Sequence, residues 1–432
     1  MGLKPERARW RIAAVVALAL TLVSGSAIAA PRIAAIRHWT APDHTRVVVD
    51  LTSESTYSTR VLTGPDRVVV LLVDGSVGDA PTTNPVGDGL VDRVRLNQLK
   101  SGAQVVVDLT RASSHNVFPL AAYREKPHRI VIDLFRNGAE PSLTASDVVE
   151  HSGTPIVVID PGHGGEDPGT LGNGKLKEKD IVLDIGKRLA AILDSRGGYD
   201  TRLTRKGDYF VSLRKRKKVA NESGGDIFIS IHANSAPNRR ASGTEIFFVS
   251  PRGASDQAAR ELADRENACD LVGGVSPDAG DDVLSILVDL KMSDSVQKSS
   301  DLASLIVNRL GQSGVSSSVV KQAGFVVLKN LAMPSVLVEV GFLTNQSDVK
   351  KLATTSHRQA YAQCLADAID TYFDRYAPVA SMPEGQHKVA AGETLWSIAR
   401  RYDMTVEDLR QLNGLSSAST IHVDQVLAVK KT

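Results

Sequence analysis

I-V-V-I-D-P-G-H-G-G, Ile156 to Gly165, reads as an apolar strand that breaks into a glycine-rich loop carrying His163. Glu178 follows, opening the helical segment E-K-D-I-V-L-D-I-G-K-R-L. Two further apolar segments carry polar residues at their ends: D-I-F-I-S-I-H-A-N (Asp226 to Asn234) with His232, and S-V-L-V-E-V-G-F-L-T-N (Ser335 to Asn345) with Glu339. From Pro155 to about Tyr376 such strands alternate with amphipathic helices. This predicts an α/β domain with a largely parallel sheet flanked by helices. Ligands of such sheets gather beyond the carboxyl ends of the strands, and the strand reading puts His163, His232 and Glu339 at that edge. One metal could gather these three with Glu178. Two imidazoles and one carboxylate are the ligand set of an open catalytic zinc site. A second, non-ligand carboxylate is what a zinc hydrolase needs to move a proton.

Each residue also has a plainer reading. A lone histidine at a strand end is usually just polar; the pair, in these motifs, reads as ligands. Glu178 would equally suit a helix amino terminus as a favourable charge. Glu339, inside V-L-V-E-V, is harder to place innocently, because burying an unpaired carboxylate is costly. Strand-end hydrogen bonding and solvation account for Asp160 and Glu166, and Asn234 is expected to hold the loop after His232. Gly162, Gly164 and Gly165 would let the backbone approach closely around His163.

At 432 residues the chain is long enough for roughly three domains. Its 51 basic residues nearly cancel 49 acidic ones, and aromatics are only 5%, so no footprint for nucleic acid is expected. The basic run R-K-R-K-K (Arg214 to Lys218) reads as a solvated helix face. Residues 1–29 read as a secretory signal peptide: Lys4, Arg7, Arg9 and Arg11, then an apolar Ala13–Val23, then Ala27-Ile28-Ala29. No cysteine stands near that cleavage site, the arginines are never adjacent, and no other apolar run is long enough to cross a membrane. Export as a soluble protein is therefore expected. Cys269 and Cys364 lack the spacing of a thiolate metal site, and whether they pair is open.

Residues 30–137 read as an all-β, sandwich-like domain with an internal repeat. R-V-V-V-D-L-T (Arg46 to Thr52) returns as Q-V-V-V-D-L-T (Gln104 to Thr110), and each copy precedes a second strand, Arg67–Asp74 and Arg129–Arg136. Two packed sheets with pseudo-twofold symmetry follow, with Asp50 and Asp108 as polar residues on outward faces. Residues 138–154 and 377–386 read as linkers, leaving 155–376 as the catalytic domain and 387–432 as a small β-α-α-β module. Leu395, Trp396, Ile398, Leu409 and Leu412 are the expected core of that module. Within the α/β domain, residues 252–300 read as an insert. Its segment Gly280–Leu290 carries Val283, Ile286, Leu287 and Leu290 on one helical stripe.

V-I-D-P-G-H-G-G, E-K-D-I-V-L-D-I, S-I-H-A-N, Q-A-G-F-V-V-L and P-S-V-L-V-E-V-G-F-L-T-N, in that order, resemble the zinc-dependent N-acetylmuramoyl-L-alanine amidases of the amidase-3 family. The resemblance implies a Zn2+ ion held by His163, Glu178 and His232, with Glu339 as catalytic acid/base. It implies cleavage of the amide joining the lactyl group of N-acetylmuramic acid to L-alanine in peptidoglycan. The amino-terminal repeat resembles an AMIN domain. V-x-x-G-E-T-L-W-S-I-A-R-R-Y (Val389 to Tyr402) and L-x-x-L-N-G-L (Leu409 to Leu415) resemble a LysM domain, departing from it at His387 and Asp424. Together these imply the periplasm of a Gram-negative bacterium and septal wall splitting. Division-type relatives carry such an insert as an autoinhibitory element displaced by an activator with a LytM-type domain; Asp282 or Asp281 could then occupy the metal's open position, or merely favour a helix amino terminus. Two other classes stay open: a non-catalytic wall-binding adaptor, and a zinc peptidase cutting peptide cross-links.

Overall fold

The computed structural model describes residues 30–136, 154–172, 176–250, 253–275, 289–329, 331, 333–376, 385–390, 393–402, 404–415 and 421–430. The expected signal peptide, nearly all of both linkers, and Asp281, Asp282, Val283, Ile286 and Leu287 of the insert lie outside the described residues.

Ten strands make the first domain: β1 (Arg32–Thr40), β2 (His44–Leu51), β3 (Tyr57–Leu62), β4 (Arg67–Val73), β5 (Ser76–Val77), β6 (Thr83–Pro85), β7 (Val91–Leu99), β8 (Gly102–Leu109), β9 (His115–Leu120) and β10 (His128–Phe135). They form two five-stranded sheets, ordered β5-β1-β2-β10-β9 and β3-β4-β8-β7-β6. The repeated V-V-V-D-L segments are the central strands, β2 of one sheet and β8 of the other. The strand following each repeat crosses over: β4 pairs with β8, and β10 with β2. The two units are thus interleaved, which the repeat alone did not disclose. Val47, Val49 and Leu51 face Val105, Val107 and their neighbours in one shared core, the inward half of a period-two pattern. Asp50 and Asp108 point away from it and are ion-paired, Asp50 with Arg37 and Asp108 with Arg93 and Arg95.

The α/β domain contains β11 (Ile156–Pro161), the short hairpin β12 (Leu171–Gly172) and β13 (Leu176–Lys177), α1 (Glu178–Arg196), β14 (Asp200–Leu203), α2 (Leu213–Glu222), β15 (Ile227–Asn234), β16 (Thr244–Val249), α3 (Gln257–Asn267), α4 (Cys269–Gly273), α5 (Asp289–Gln312), β17 (Ser318–Ala323), β18 (Ser335–Phe342), α6 (Gln346–Leu352) and α7 (Thr355–Tyr376). The six-stranded sheet runs β14-β11-β15-β18-β16-β17. Its first four strands are parallel, and β16 and β17 run the other way. The strands are apolar on both faces because both are covered. Val157, Ile159, Ile229 and Val338 face α1, α5 and α7; Val158, Phe228, Phe247 and Leu337 face α2 and α3. Helix α5 starts well before the Asp301 boundary expected of it, and the insert contributes α3 and α4.

Helix α2 corrects the reading of the basic run. Arg216 is almost wholly buried, with its guanidinium 2.7 Å from Asp160, so the run is not a uniformly solvated face. Asp160 and Glu166 are buried as well, so solvation does not account for them. In the terminal module β19 (Gln386–Lys388) pairs with β20 (Val426–Ala428) beside α8 (Leu395–Arg401) and α9 (Val406–Leu412). Leu395, Ile398 and Leu409 are in its core. Trp396 and Leu412 are exposed at 61% and 52%, against expectation; a module this small has one narrow core stripe per helix. Asp424 adopts φ 70°, the left-handed conformation in which glycine is ordinarily at ease.

Candidate metal centre

His163 lies two residues beyond β11, in a turn where its own φ is 58°. That conformation is uncommon for a side-chain-bearing residue, and two buried arginines hold it. Arg216 donates to the carbonyls of Pro161 and His163 at 2.7 Å, and Arg205 to those of Pro161 at 2.9 Å and Gly162 at 2.7 Å. Asp160 compensates Arg216 and also accepts from Thr204 and Ser230. Removing one member of that buried pair would leave an uncompensated charge, a loss of about 3–5 kcal/mol. Gly162 is required by a close approach: a Cβ there would lie 2.4 Å from the His232 ring.

Glu178 opens α1, where its oxygens accept from the amides of Thr170 at 2.7 Å and Ala233 at 2.8 Å. His232 and Glu339 sit within β15 and β18, directly opposite each other in register, rather than at their last residues. His163 Nδ1 meets Asp167 Oδ2 at 2.7 Å, which turns its Nε2 toward the centre.

Among the described residues His163, Glu178, His232 and Glu266 form one buried group whose donor atoms all lie within 4.8 Å of each other. His163 Nε2 is 2.9 Å from Glu178 Oε1 and 3.2 Å from Glu266 Oε2; His232 Nδ1 is 3.3 Å and 3.2 Å from the same two atoms. Yet His163 Nε2, His232 Nδ1 and Glu266 Oε2 make no hydrogen bond of acceptable geometry among the described residues. Close donors that do not share protons fit convergence on a common ion. A tetrahedral cation with bonds of about 2.0–2.1 Å keeps its ligand atoms about 3.3 Å apart.

Burial opposes every charge here, and the partners decide the outcome. Asp167 and Glu178 hold His163 well above its usual range, and Glu178 and Glu266 lift His232 to about 9. The two imidazoles in turn hold Glu178 down at about 2 and Glu266 well below the ordinary carboxylate range. Glu339 goes the other way: burial, with Glu266 and Glu178 nearby, pushes it well above its usual value, although His232 opposes this. Neither of its oxygens has a hydrogen-bond partner among the described residues.

The structure therefore brings together His163, Glu178 and His232, with Glu339 beside them. The insert's contribution within the described residues is Glu266, which the sequence reading missed. A signal was present: Ala259, Leu262, Ala263 and Glu266 are the buried residues of α3, and their spacing sets a carboxylate on an otherwise apolar stripe. Asn234 ends β15, where its carbonyl accepts from Leu343 at 2.8 Å, its side-chain oxygen accepts from Arg265 at 3.2 Å and its side-chain amide donates to Glu245 at 2.9 Å. A cleft of about 380 Å³ opens over the group, lined by His163, Glu178, Glu266 and Thr170 and by Tyr123–Lys126 of the first domain. Cys269 and Cys364 are both free and buried.

An α/β sheet gathering two imidazoles and two carboxylates near its strand ends has the donor set of a divalent-metal hydrolase. The family model for N-acetylmuramoyl-L-alanine amidase matches residues 157–371, with AMIN and LysM domain models matching 35–134 and 387–430. The chain is 31% identical over 397 residues to the N-acetylmuramoyl-L-alanine amidase AmiC of Escherichia coli O6:H1, covering 82% of this chain and 92% of that one. It is 41% identical over 223 residues to AmiA of Escherichia coli K12, covering 51% and 77%. Among solved structures, the amidase AmiC2 of Nostoc punctiforme is 31% identical, with a TM-score of 0.39 and coverage of 51% and 98%. The chain belongs to the N-acetylmuramoyl-L-alanine amidase family. No helix among the described residues is long and apolar enough to cross a membrane.

Proposed function

We propose that this enzyme hydrolyses the amide between the lactyl group of N-acetylmuramic acid and L-alanine in peptidoglycan, using a zinc ion held by His163, Glu178 and His232. The carrying observation is that their buried donor atoms lie within 4.8 Å of one another, with His163 Nε2 and His232 Nδ1 making no hydrogen bond among the described residues. Zinc in that position supplies Lewis acidity, polarising the scissile carbonyl and lowering the pKa of water. Glu339, whose burial raises its affinity for a proton, as the carboxylate takes the proton of the attacking water and delivers it to the departing alanine nitrogen. That delivery matters because an amide nitrogen is a poor leaving group until protonated. Asp167 orients His163, and the amides of Thr170 and Ala233 orient Glu178.

Glu266 fills the position that substrate or water would need, so the described conformation is the resting, inhibited one. We assign to a LytM-type activator of the division machinery the displacement of α3. The periplasm, reached through the expected signal peptide, is the compartment, and daughter-cell separation is the role. The AMIN-like and LysM-like domains localise the enzyme on the wall. The test is mass spectrometry of products released from purified peptidoglycan by Glu266→Ala protein, with and without a chelator, against the Glu266→Ala/Glu339→Gln double variant. Intact stem peptides with a free L-alanine amino terminus, lost on chelation or in the double variant, are expected. Cut cross-links with peptides still on muramic acid would instead identify a peptidase.

A further inference from the structure

The first domain meets the α/β domain through the outward face of the sheet β5-β1-β2-β10-β9, and the contact is built from arginines. Arg129 on β10 is almost fully buried; its Nη1 donates to Glu166 Oε1 at 3.1 Å and to the Val272 carbonyl at 2.7 Å, and its Nη2 reaches the Leu271 carbonyl at 3.4 Å. Arg46 on β2, held by Asp133 at 2.7 Å, donates to the carbonyls of Gly273 and, at 2.8 Å, of Gly274. These four consecutive carbonyls end α4, where among the described residues no further helical turn donates to them, and guanidinium donors suit the negative end of a helix. Leu120 of β9 closes over Gly274, where a Cβ would lie 2.6 Å from its Cδ1. Glu166, three residues after His163, is gripped in the same place by Arg37, Lys126 and Arg129.

Helix α4 follows α3 after a single residue, Ala268, and α3 presents Glu266. Arg129 therefore bonds at once to the loop that carries His163 and to the segment that carries the blocking carboxylate. We infer that this face of the amino-terminal β domain is a docking surface for the end of α4, and that through it the domain clamps Glu266 over the metal centre. The inference rests on the inhibitory reading of Glu266. A domain otherwise read as an anchor is then also a brake, because lifting α3 off the centre requires breaking charge-assisted bonds to β2 and β10.

The test uses the full chain loaded with zinc. Arg129→Met removes the Leu271 and Val272 bonds while leaving Glu166 with Arg37 and Lys126. Arg46→Met paired with Asp133→Leu replaces a buried ion pair by apolar side chains, a change that usually preserves the fold. Amide hydrogen exchange over residues 257–275 is read by mass spectrometry, with residues 45–51 and 227–233 as internal controls for intact sheets. Exchange in 257–275 is expected to quicken about tenfold, the factor lost with one charge-assisted bond, while the control strands stay protected. Basal peptidoglycan hydrolysis should rise with it, by less than in Glu266→Ala. Unchanged exchange in 257–275 in both variants would overturn the clamp. Absence of hydrolysis even in Glu266→Ala would count against the inhibited-amidase reading, while the exchange result still decides whether the β domain holds α4.

Discussion

Helices α1 and α3 each deliver one carboxylate to the same four-residue centre, and they do so on different terms. Glu178 on α1 is fixed by two backbone amides, Thr170 and Ala233, on a helix packed along the main core. Glu266 on α3 leaves Oε2 without a hydrogen bond among the described residues, and its other oxygen has Arg265 at 3.4 Å. Its helix joins the smaller core on the opposite face and continues into α4, whose end is held by another domain. A built ligand is oriented by the backbone around it. A removable one is oriented by contacts that can be withdrawn.

The most severe way to break this distinction is to delete each carboxylate in turn. Glu178→Ala should leave the purified protein with background zinc after dialysis and no hydrolysis, whereas Glu266→Ala keeps its zinc; equal metal loss in both would abolish the distinction. Next in size, Glu339→Gln in the Glu266→Ala background should cut turnover by about 10²–10⁴-fold with zinc content unchanged. Metal loss in that variant would make Glu339 a ligand rather than a proton carrier. Glu266→Ala alone should raise activator-free hydrolysis of purified peptidoglycan roughly 5–150-fold, the usual span of a coupling between sites.

Asp167→Asn sharpens the built side of the comparison. With the Nδ1 partner of His163 weakened, zinc affinity by competition with a chromogenic chelator should fall roughly 10–100-fold. The smallest expected effect tests the domain that holds the removable side. Burial alone would raise the Asp88 carboxyl, but Thr45, Thr40 and the amides of Val91 and Leu90 outweigh it and bring it to about 2. Its folded value lies below the ordinary 3.8, so its stabilisation is present above pH ~4 and lost as pH falls toward 2. Asp88→Asn should flatten that part of the β domain's acid-unfolding profile, followed by far-UV circular dichroism.

Much of the centre was legible because its signals are local. A strand that breaks at P-G-H-G-G, a glutamate opening a helix and a histidine near a strand end each need only a short window, and the parallel sheet carries them to one edge. Glu339 was legible because a carboxylate in an apolar strand has few innocent places. Where local patterning failed, a distant partner had decided. Arg216 looked like part of a solvated basic face until Asp160, 56 positions away, was seen to bury it. Trp396 and Leu412 looked like core by hydrophobicity, but the module is too small to cover them.

By itself the sequence determined the three-part organisation and the α/β pattern, and it marked His163, Glu178, His232 and Glu339 as residues brought to one edge of the sheet, because periodicity and motif spacing are properties of neighbouring positions. Only the tertiary structure decided that the repeated β units exchange strands, that Glu266 completes the group, and that Arg46 and Arg129 hold the end of α4. Those contacts join residues as many as 228 positions apart. Nothing in the chain nearby marks a carbonyl or a carboxylate for such a partner, since it is the packing of whole elements that brings the two together.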